Sequence, residues 1–188
     1  MLKPFLLLSV FTLISLLTFG QDTIRTFHEE DTVKIKEVVT LVNGKANGTV
    51  WRYDLDGRLV VIGQLKDGQR HGIFYDLDPE TADTLHQLTF KNNQREGEAL
   101  SFFPGGKLSQ RSFFVGNKLE GEVLSYFEDG NLSEKTPFRA NKPEGISLQY
   151  YPNGSIQSKI SYLAGQFHGT REEYDESGIL QYQGNYEQ

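Results

Sequence analysis

The sequence predicts an all-β protein, an elongated and twisted antiparallel β-meander built from about six hairpin repeats of 24 residues. Three observations predict this fold. A glycine recurs at nearly constant intervals, turn-forming residues stand at fixed distances from that glycine, and the segments between the turns alternate apolar and polar side chains. These segments are roughly 7 to 9 residues long, an ordinary strand length. The frequent glycines and the period of two argue against helices.

The recurring glycines, here called the repeat glycines, follow one another at intervals of 24, 25, 24, 24 and 24 residues. Four residues before each of them stands glycine or asparagine, the two residue types that best tolerate a positive φ. We therefore predict a tight turn at this point of every repeat, with the repeat glycines as structural turn residues. The repeat glycines are Gly48, Gly72, Gly97, Gly121, Gly145 and Gly169.

A second turn is predicted about nine residues after the repeat glycine, where pairs such as Asp56-Gly57 and Asn153-Gly154 recur. Such pairs between alternating segments favour the primed two-residue turns of β-hairpins. Repeat two is the exception, because Asp-Pro-Glu-Thr-Ala-Asp at residues 78–83 replaces the pair. We expect a longer, protruding loop there.

Apolar side chains recur at four offsets from the repeat glycine: three, five and eleven residues after it, and seven before it. In repeat four these positions are Leu124, Tyr126, Leu132 and Phe114. Because successive side chains of a strand point to opposite faces, we predict that the four columns form one apolar face of the sheet.

These residues resemble a known family. The segment from Phe114 to Gly121, Phe-Val-Gly-Asn-Lys-Leu-Glu-Gly, with Tyr126-Phe127 and Asp129-Gly130 after it, resembles the MORN-repeat-variant family of β-hairpin repeats, and the resemblance extends from about Val33 to Tyr186. Members are often filed as antitoxins of toxin–antitoxin pairs, and related MORN arrays are associated with membranes, lipids and protein assembly. The resemblance implies a repeat scaffold and carries over no catalytic residue.

The N-terminal residues have the pattern of a secretory signal. Lys3 precedes an uncharged, mostly apolar run from Phe5 to Leu17, which is short for a membrane span, and a polar segment begins at Gln21. We expect a signal peptide at residues 1–20, a flexible lead-in at 21–32 and the repeat domain at 33–188. An uncleaved anchor is the alternative. The processed protein is then secreted or located in the periplasm or cell envelope.

Composition and motifs exclude several classes of function. The chain of 188 residues carries 25 Asp and Glu against 19 Lys and Arg, a net charge of −6, which argues against nucleic-acid binding. It has no cysteine and therefore no thiolate metal site. His71 and His168 share an offset but stand four repeats apart, so no shared metal site is predicted, and no cofactor motif occurs.

Two glutamate columns, which include Glu96 with Glu120 and Glu98 with Glu122, stand close enough in neighbouring repeats to suggest a glycoside hydrolase. Nothing in the sequence predicts the burial that would raise the pKa of one carboxyl group and make it an acid. A solvated acidic stripe is favoured, and the protein is predicted not to be an enzyme.

The candidate binding surface consists of three rows, with aromatics and small polar residues in repeats three to five and cations in repeats four to six. Six residues after the repeat glycine stand aromatics, ten before it stand cations, and four after it stand small polar residues. We predict that all three rows share the face opposite the apolar one, with neighbouring aromatics about 10 Å apart. The rows are Phe103, Phe127 and Tyr151; Arg111, Lys135 and Lys159; and Ser101, Ser125 and Gln149.

Such a surface suits an extended glycan or anionic polymer, a partner's sheet or a lipid surface. The alternative is that the aromatics only cover the second face of the sheet. The sequence therefore favours a non-catalytic, exported scaffold that binds a protein or polymer. Alternatives are a peripheral binder of membrane or envelope lipid, and an antitoxin-like neutralising partner, which export would restrict to toxins outside the cytosol.

Overall fold

A computed structural model describes residues 22–187. In this range the chain forms one open antiparallel sheet and no helix, which confirms the predicted all-β meander. None of the described residues belongs to a helix long and apolar enough to span a membrane. The predicted signal peptide lies outside the described residues.

The strands pair in chain order, so the sheet is a simple meander. Three two-residue strands pair only with the strand before them, and the strand that follows each of them pairs with that same earlier strand. The described strands are β1 (Asp22–Phe27), β2 (Ile35–Val42), β3 (Lys45–Tyr53), β4 (Leu59–Lys66), β5 (Gln69–Arg70), β6 (Gly72–Leu77), β7 (Thr84–Lys91), β8 (Gln94–Phe102), β9 (Leu108–Val115), β10 (Lys118–Leu119), β11 (Gly121–Tyr126), β12 (Leu132–Arg139), β13 (Lys142–Pro143), β14 (Gly145–Tyr150), β15 (Ile156–Leu163), β16 (Gln166–Tyr174) and β17 (Leu180–Tyr186).

The part of the predicted lead-in that the structure describes contains strand β1. This strand pairs with β2 in the register Asp22 with Leu41. Within repeat one, β3 pairs with β4 in the equivalent register, Gly48 with Leu65. By this register, strand β1 occupies the place of the second strand of a further repeat ahead of repeat one. Its threonine, isoleucine and phenylalanine residues are of types that favour strands.

The first turn of every repeat is a two-residue turn with positive φ at both residues. In repeat one the values are 54° at Asn43 and 73° at Gly44, and Val42 pairs with Lys45 across the turn. This is the type I′ geometry that matches the twist of a hairpin. The corresponding pairs in the other repeats are Asp67-Gly68, Asn92-Asn93, Gly116-Asn117, Ala140-Asn141 and Ala164-Gly165.

The second turn is not the predicted primed turn. In repeat one the Asp54 N–H donates to the Arg58 carbonyl at 3.0 Å and the Gly57 N–H donates to the Asp54 carbonyl at 3.1 Å. The loop thus has three residues and ends on Gly57, whose φ is +80°. Only this last residue needs the left-handed conformation, so a type I turn followed by glycine suffices. Residues 78–83 form the predicted longer loop, closed by a 2.8 Å bond from the Asp78 N–H to the Asp83 carbonyl.

The repeat glycines do not lie in turns, which corrects the prediction that they are turn residues. They lie in β-bulges on the strand that leaves the first turn. In repeat one, Val39 pairs with Val50 and Leu41 pairs with Ala46, so Thr40 alone faces the three residues around Gly48. All six repeat glycines have positive φ, from 76° at Gly121 to 110° at Gly97, and this conformation explains the choice of glycine.

A second bulge decides which side chains share a face. Each strand that follows a second turn carries one extra residue near its start, as at Ser133, where Tyr126 pairs with Leu132 and Ser125 pairs with Glu134. One extra residue inverts the alternation of every position after it. The bulged residues are Lys36, Val60, Leu85, Ser109, Ser133, Gln157 and Gln181.

The two faces are named here by their columns. Face A carries the columns two and four residues after the repeat glycine and seven and nine before it. Face B carries the columns one, three and five after the repeat glycine and ten before it. The predicted single apolar face is therefore wrong in one respect, because the bulge moves the column that contains Phe90 and Phe114 from face B to face A.

The core lies on face A. Val39, Val50, Phe74 and Phe90 form its buried cluster, and the rings of Phe74 and Phe90 meet edge to face with centroids 5.2 Å apart. The Arg70 guanidinium covers the Phe90 ring at 4.3 Å. In repeats three to five this face continues with small buried side chains: Ala99, Ser112, Thr136, Ser147 and Ser158.

Consecutive repeats are joined at their first turns by hydrogen bonds. The Asn117 N–H donates to the Arg95 carbonyl at 3.0 Å, and the Arg95 N–H donates back to Asn117 Oδ1 at 2.7 Å. The glutamate one residue before the repeat glycine also accepts the N–H of the first turn residue of the next repeat. These bonds are Gly116 N–H to Glu96, Ala140 N–H to Glu120 and Ala164 N–H to Glu144, at 2.7, 2.9 and 2.7 Å.

Candidate ligand-binding surface

The predicted aromatic row, Phe103, Phe127 and Tyr151, begins the second turns of repeats three, four and five. The Phe127 N–H donates to the Asn131 carbonyl at 2.8 Å, and the Phe127 carbonyl accepts the Gly130 N–H at 2.9 Å. Each aromatic follows a face B residue on its strand and so lies at face A. All three residues are half-buried. The backbone groups of these residues are therefore hydrogen-bonded within the turn, while part of each residue stays exposed.

Turn formation does not require these aromatics. In repeat six the same position is Asp175, whose Oδ1 accepts the N–H groups of Ser177 at 3.0 Å and Ile179 at 2.9 Å. In repeat four the residue two positions later supplies the acceptor instead, because Asp129 Oδ1 accepts the Asn131 N–H at 2.8 Å. Asn153 has the same role in repeat five. Aromatic residues thus occupy a position that polar residues fill in the other repeats.

Hydrogen bonds between successive second turns hold the aromatic row in position. Lys107 Nζ donates to the Glu128 carbonyl at 2.8 Å, and Ser155 Oγ donates to the Glu176 carbonyl at 3.0 Å. Between them, Asn131 Nδ2 donates to the carbonyl of Pro152 at 3.3 Å. Two strands separate equivalent residues, so neighbouring aromatics stand about 10 Å apart along the sheet.

The aromatic row ends in a pocket of about 360 Å³ between repeats five and six, here called the end pocket. Tyr151 belongs to both features. Residues that line the end pocket include Gln149, Tyr151, Ser158, Arg171, Glu173 and Gln181.

Internal hydrogen bonds hold several of these pocket side chains in place. Tyr151 Oη donates to the Tyr174 carbonyl at 2.9 Å. The buried Ser158 donates its hydroxyl to Gln149 Oε1 at 2.9 Å. Together with Ile160, the Tyr151 ring gives the pocket an apolar component among amide and hydroxyl groups. A largely fixed pocket with mixed donors and acceptors suits a polar organic ligand.

An ion pair forms one wall of the end pocket. Arg171 Nη2 donates to Glu173 Oε1 at 2.5 Å, and this hydrogen bond raises the pKa of Arg171 above its ordinary value. Arg171 Nε is buried and has no partner among the described residues. Beside the pair, Asp175 Oδ2 accepts a 2.8 Å hydrogen bond from Gln181 Nε2. This wall therefore carries planar groups that can donate and accept hydrogen bonds.

The predicted cations do not join this surface. Arg111, Lys135 and Lys159 pair with Leu100, Leu124 and Leu148 and thus lie on face B. The bulge near the start of their strands inverts their orientation, so the prediction that they share a face with the aromatics is wrong. The small polar row of Ser101, Ser125 and Gln149 does lie on face A.

Each of these cations also has a carboxylate partner. Arg111 Nε lies 2.6 Å from Glu98 Oε1, Lys135 Nζ lies 2.5 Å from Glu122 Oε1, and Lys159 Nζ lies 3.4 Å from Glu172 Oε2. Hydrogen bonding to Glu122 raises the pKa of Lys135, and hydrogen bonding to Tyr174 raises the pKa of Lys159. These pairs neutralise the basic row locally.

Both glutamate columns have structural partners. Glu96 and Glu120 bind backbone amides of the next repeat, whereas Glu98 and Glu122 form the ion pairs on face B. Within residues 22–187, no group of three or more histidine, aspartate and glutamate side chains is arranged to hold a metal ion. The Nδ1 atom of His71 is buried without a partner in the same range.

Sequence reasoning missed Arg171, Glu173 and Gln181. A signal was present at Arg171, because the equivalent residues are Val50, Phe74, Ala99, Val123 and Ser147, none of which is charged. An arginine in an otherwise uncharged column indicates a local specialisation of repeat six.

Comparison with known families agrees with the repeat pattern. The family model described as MORN repeat variant matches four consecutive segments, residues 95–115, 119–140, 143–164 and 167–188. A search of curated proteins finds no match. The matched segments contain the aromatic row and the end pocket, and the same hairpin pairing continues through repeats one and two.

Proposed function

Since the chain belongs to the MORN-repeat-variant family, we propose that it acts as a non-catalytic, exported scaffold that binds a protein or polymer partner along face A. A repeat β-sheet scaffold of this family fits a binding role. The observation that carries the proposal is the aromatic row, which stands where other repeats have turn-capping aspartates and which ends in the end pocket. Aromatic side chains are not required to close these turns, and each of the three residues is partly exposed, so a partner can contact them.

Export rests on the N-terminal sequence. The pattern of a charged residue, an apolar run and small residues before Gln21 is that of a secretory signal. Cell fractionation followed by N-terminal sequencing tests this part. We expect the protein outside the cytosol with Gln21 as its first residue, and a full-length cytosolic protein would contradict export.

Binding along face A is tested by affinity capture from the cell-envelope fraction with the processed chain as bait. The face A variant carries Phe103→Ala and Phe127→Ala. A matched face B variant carries Phe113→Ala, since Phe113 is 48% exposed on the opposite face. We expect the same captured material with the unmodified and face B baits, and its loss with the face A bait. Capture that is equal with all three baits would reject face A as the binding surface.

Lipid binding is a second candidate function, favoured by exposed apolar side chains on face B. Phe113 is 48% exposed and Ile146 is 56% exposed. Co-sedimentation with vesicles of phosphatidylethanolamine and phosphatidylglycerol tests it. Binding that is lost in a Phe113→Ser, Ile146→Ser variant would support this candidate, and no sedimentation would reject it.

A further inference from the structure

We infer that the partner of face A is a neutral, linear β-1,4-linked glycan, which lies along the aromatic row and places one end unit in the end pocket. This inference rests on the proposed binding function and names its ligand class.

The spacing of the aromatic row is the first reason. Equivalent residues of successive repeats stand about 10 Å apart because two strands separate them. This distance is close to the length of one extended β-1,4-linked disaccharide unit. A ring at every disaccharide can stack on the apolar C–H face of every second sugar. The hydrogen bonds between the second turns keep the spacing fixed before any ligand binds, which lowers the entropic cost of association.

The chemistry of the end pocket is the second reason. Arg171, Glu173 and Gln181 present a guanidinium, a carboxylate and an amide side by side. Such planar groups form paired hydrogen bonds with neighbouring hydroxyls of a sugar ring. Tyr151 and Ile160 supply the apolar surface that the C–H face of that ring requires. A volume of about 360 Å³ accommodates one sugar unit with water.

Charge is the third reason, and it excludes the anionic polymers that the sequence also suggested. The charged residues in the second turns of repeats three to six and in the lining of the end pocket are Lys107 and Arg171 on the positive side. Glu128, Asp129, Glu173, Asp175 and Glu176 are on the negative side. A surface with this acidic excess repels polyanions. A neutral glycan meets no such barrier.

The test measures binding of cello-oligosaccharides and N-acetylated chito-oligosaccharides of two to six units to the processed chain, by calorimetry and by amide chemical-shift mapping. We expect affinity to rise by about 2- to 10-fold for each disaccharide added, as each further ring is engaged. Shift changes should begin at the end pocket with the disaccharide and extend toward Phe103 with the hexasaccharide.

Variants locate the site. Tyr151→Ala should weaken binding of every oligosaccharide, whereas Phe103→Ala should weaken only the longest ones. Phe113→Ala, an aromatic truncation on face B, should not change the affinity for either series of oligosaccharides. Circular dichroism and thermal unfolding confirm that each variant retains the sheet, and Tyr151→Phe separates the ring from its hydroxyl because it keeps the stacking surface.

The inference is overturned if neither series binds at millimolar concentration, if affinity does not depend on length, or if shift changes map to face B. Binding of oligolysine in place of sugar, lost in salt, would assign the surface to a basic peptide and also overturn it. If affinity capture depends on Phe103 and Phe127 but no glycan binds, the proposed scaffold function is retained and only the glycan inference is rejected.

Discussion

Glu120 Oε1 in repeat four lies 2.9 Å from the backbone nitrogen of Ala140, in the first turn of repeat five. Glu96 and Glu144 make the equivalent contact one repeat earlier and one repeat later. Each hairpin therefore positions the turn of the next one through a side chain, in addition to strand pairing. Nearest-neighbour contacts of this kind are the basis of stability in repeat proteins.

Truncation of this side chain should weaken the junction between repeats four and five. We expect Glu120→Ala to lower the free energy of unfolding by about 0.5–1.5 kcal/mol, because the Ala140 N–H loses its acceptor. Glu120→Gln retains an acceptor oxygen and should cost less. Urea unfolding measures both, with Glu128→Ala, an exposed glutamate in the same repeat, as the control. Equal losses in the Glu120→Ala and Glu128→Ala proteins would reject the junction role.

Gly63 and Phe74 are matched across strands β4 and β6. A Cβ atom at residue 63 would lie 2.2 Å from Phe74 Cε1, so the Phe74 ring requires a glycine beneath it. We expect Gly63→Ala to destabilise the protein by about 1–3 kcal/mol through overpacking.

A double-mutant cycle separates this steric effect from backbone propensity. In a Phe74→Leu background, Gly63→Ala should cost clearly less, because the ring is gone. Chemical denaturation of the four proteins gives the coupling. An additive cycle would show that the ring and the glycine are independent.

A substitution at Gly121 tests whether destabilisation is confined to the neighbouring repeats. Its φ is +76° and nothing lies within 4 Å of the Cβ that a substitution would add, so Gly121→Ala introduces backbone strain without a clash. The expected cost is about 1–3 kcal/mol. Amide hydrogen exchange should show lost protection in repeats three to five and little change in repeat one. Uniform loss across all repeats would contradict nearest-neighbour coupling.

Low pH should destabilise the second turns of repeats one and two. The backbone N–H of Arg58 holds the pKa of Asp54 below its ordinary value, and the backbone N–H of Thr81 does the same for Asp78. A pKa lowered by folding gives stability that is present above the unfolded value of about 3.9 and is lost as pH falls through the folded value.

The Asp54→Asn, Asp78→Asn variant keeps amide acceptors but does not titrate there. Its urea midpoint should fall less between pH 6 and pH 3 than that of the unmodified protein. An identical fall in the two proteins would show that these carboxylates do not contribute to the acid sensitivity.

The hairpin repeats could be predicted from the sequence because their turns require residue types that tolerate a positive φ. Glycine and asparagine at the first turn report positive φ directly, as Asn93 and Gly165 illustrate. The faces could not be predicted, because the bulge that inverts them has no residue signature: Val60, Leu85 and Ser133 share only their position. Because the prediction did not include this bulge, it assigned both the column of Phe114 and the column of Lys135 to the wrong face.

The candidate site was predictable only in part, for a related reason. Phe103, Phe127 and Tyr151 recur at one offset and are visible in the sequence as a row. The end pocket depends on repeat six, where Arg171 and Glu173 differ from the residues at the same offsets in the other repeats. The partner of Glu120 was also hidden, since it is a backbone amide 20 residues away.

Site-specific photo-crosslinking tests the central claim, that face A is the binding surface, most directly. A benzophenone amino acid replaces Phe127 on face A in one protein and Phe113 on face B in the other, and both are irradiated with the cell-envelope fraction. We predict a discrete adduct from position 127 and none from position 113. An adduct from position 113 alone, or equal adducts from both positions, would contradict the account.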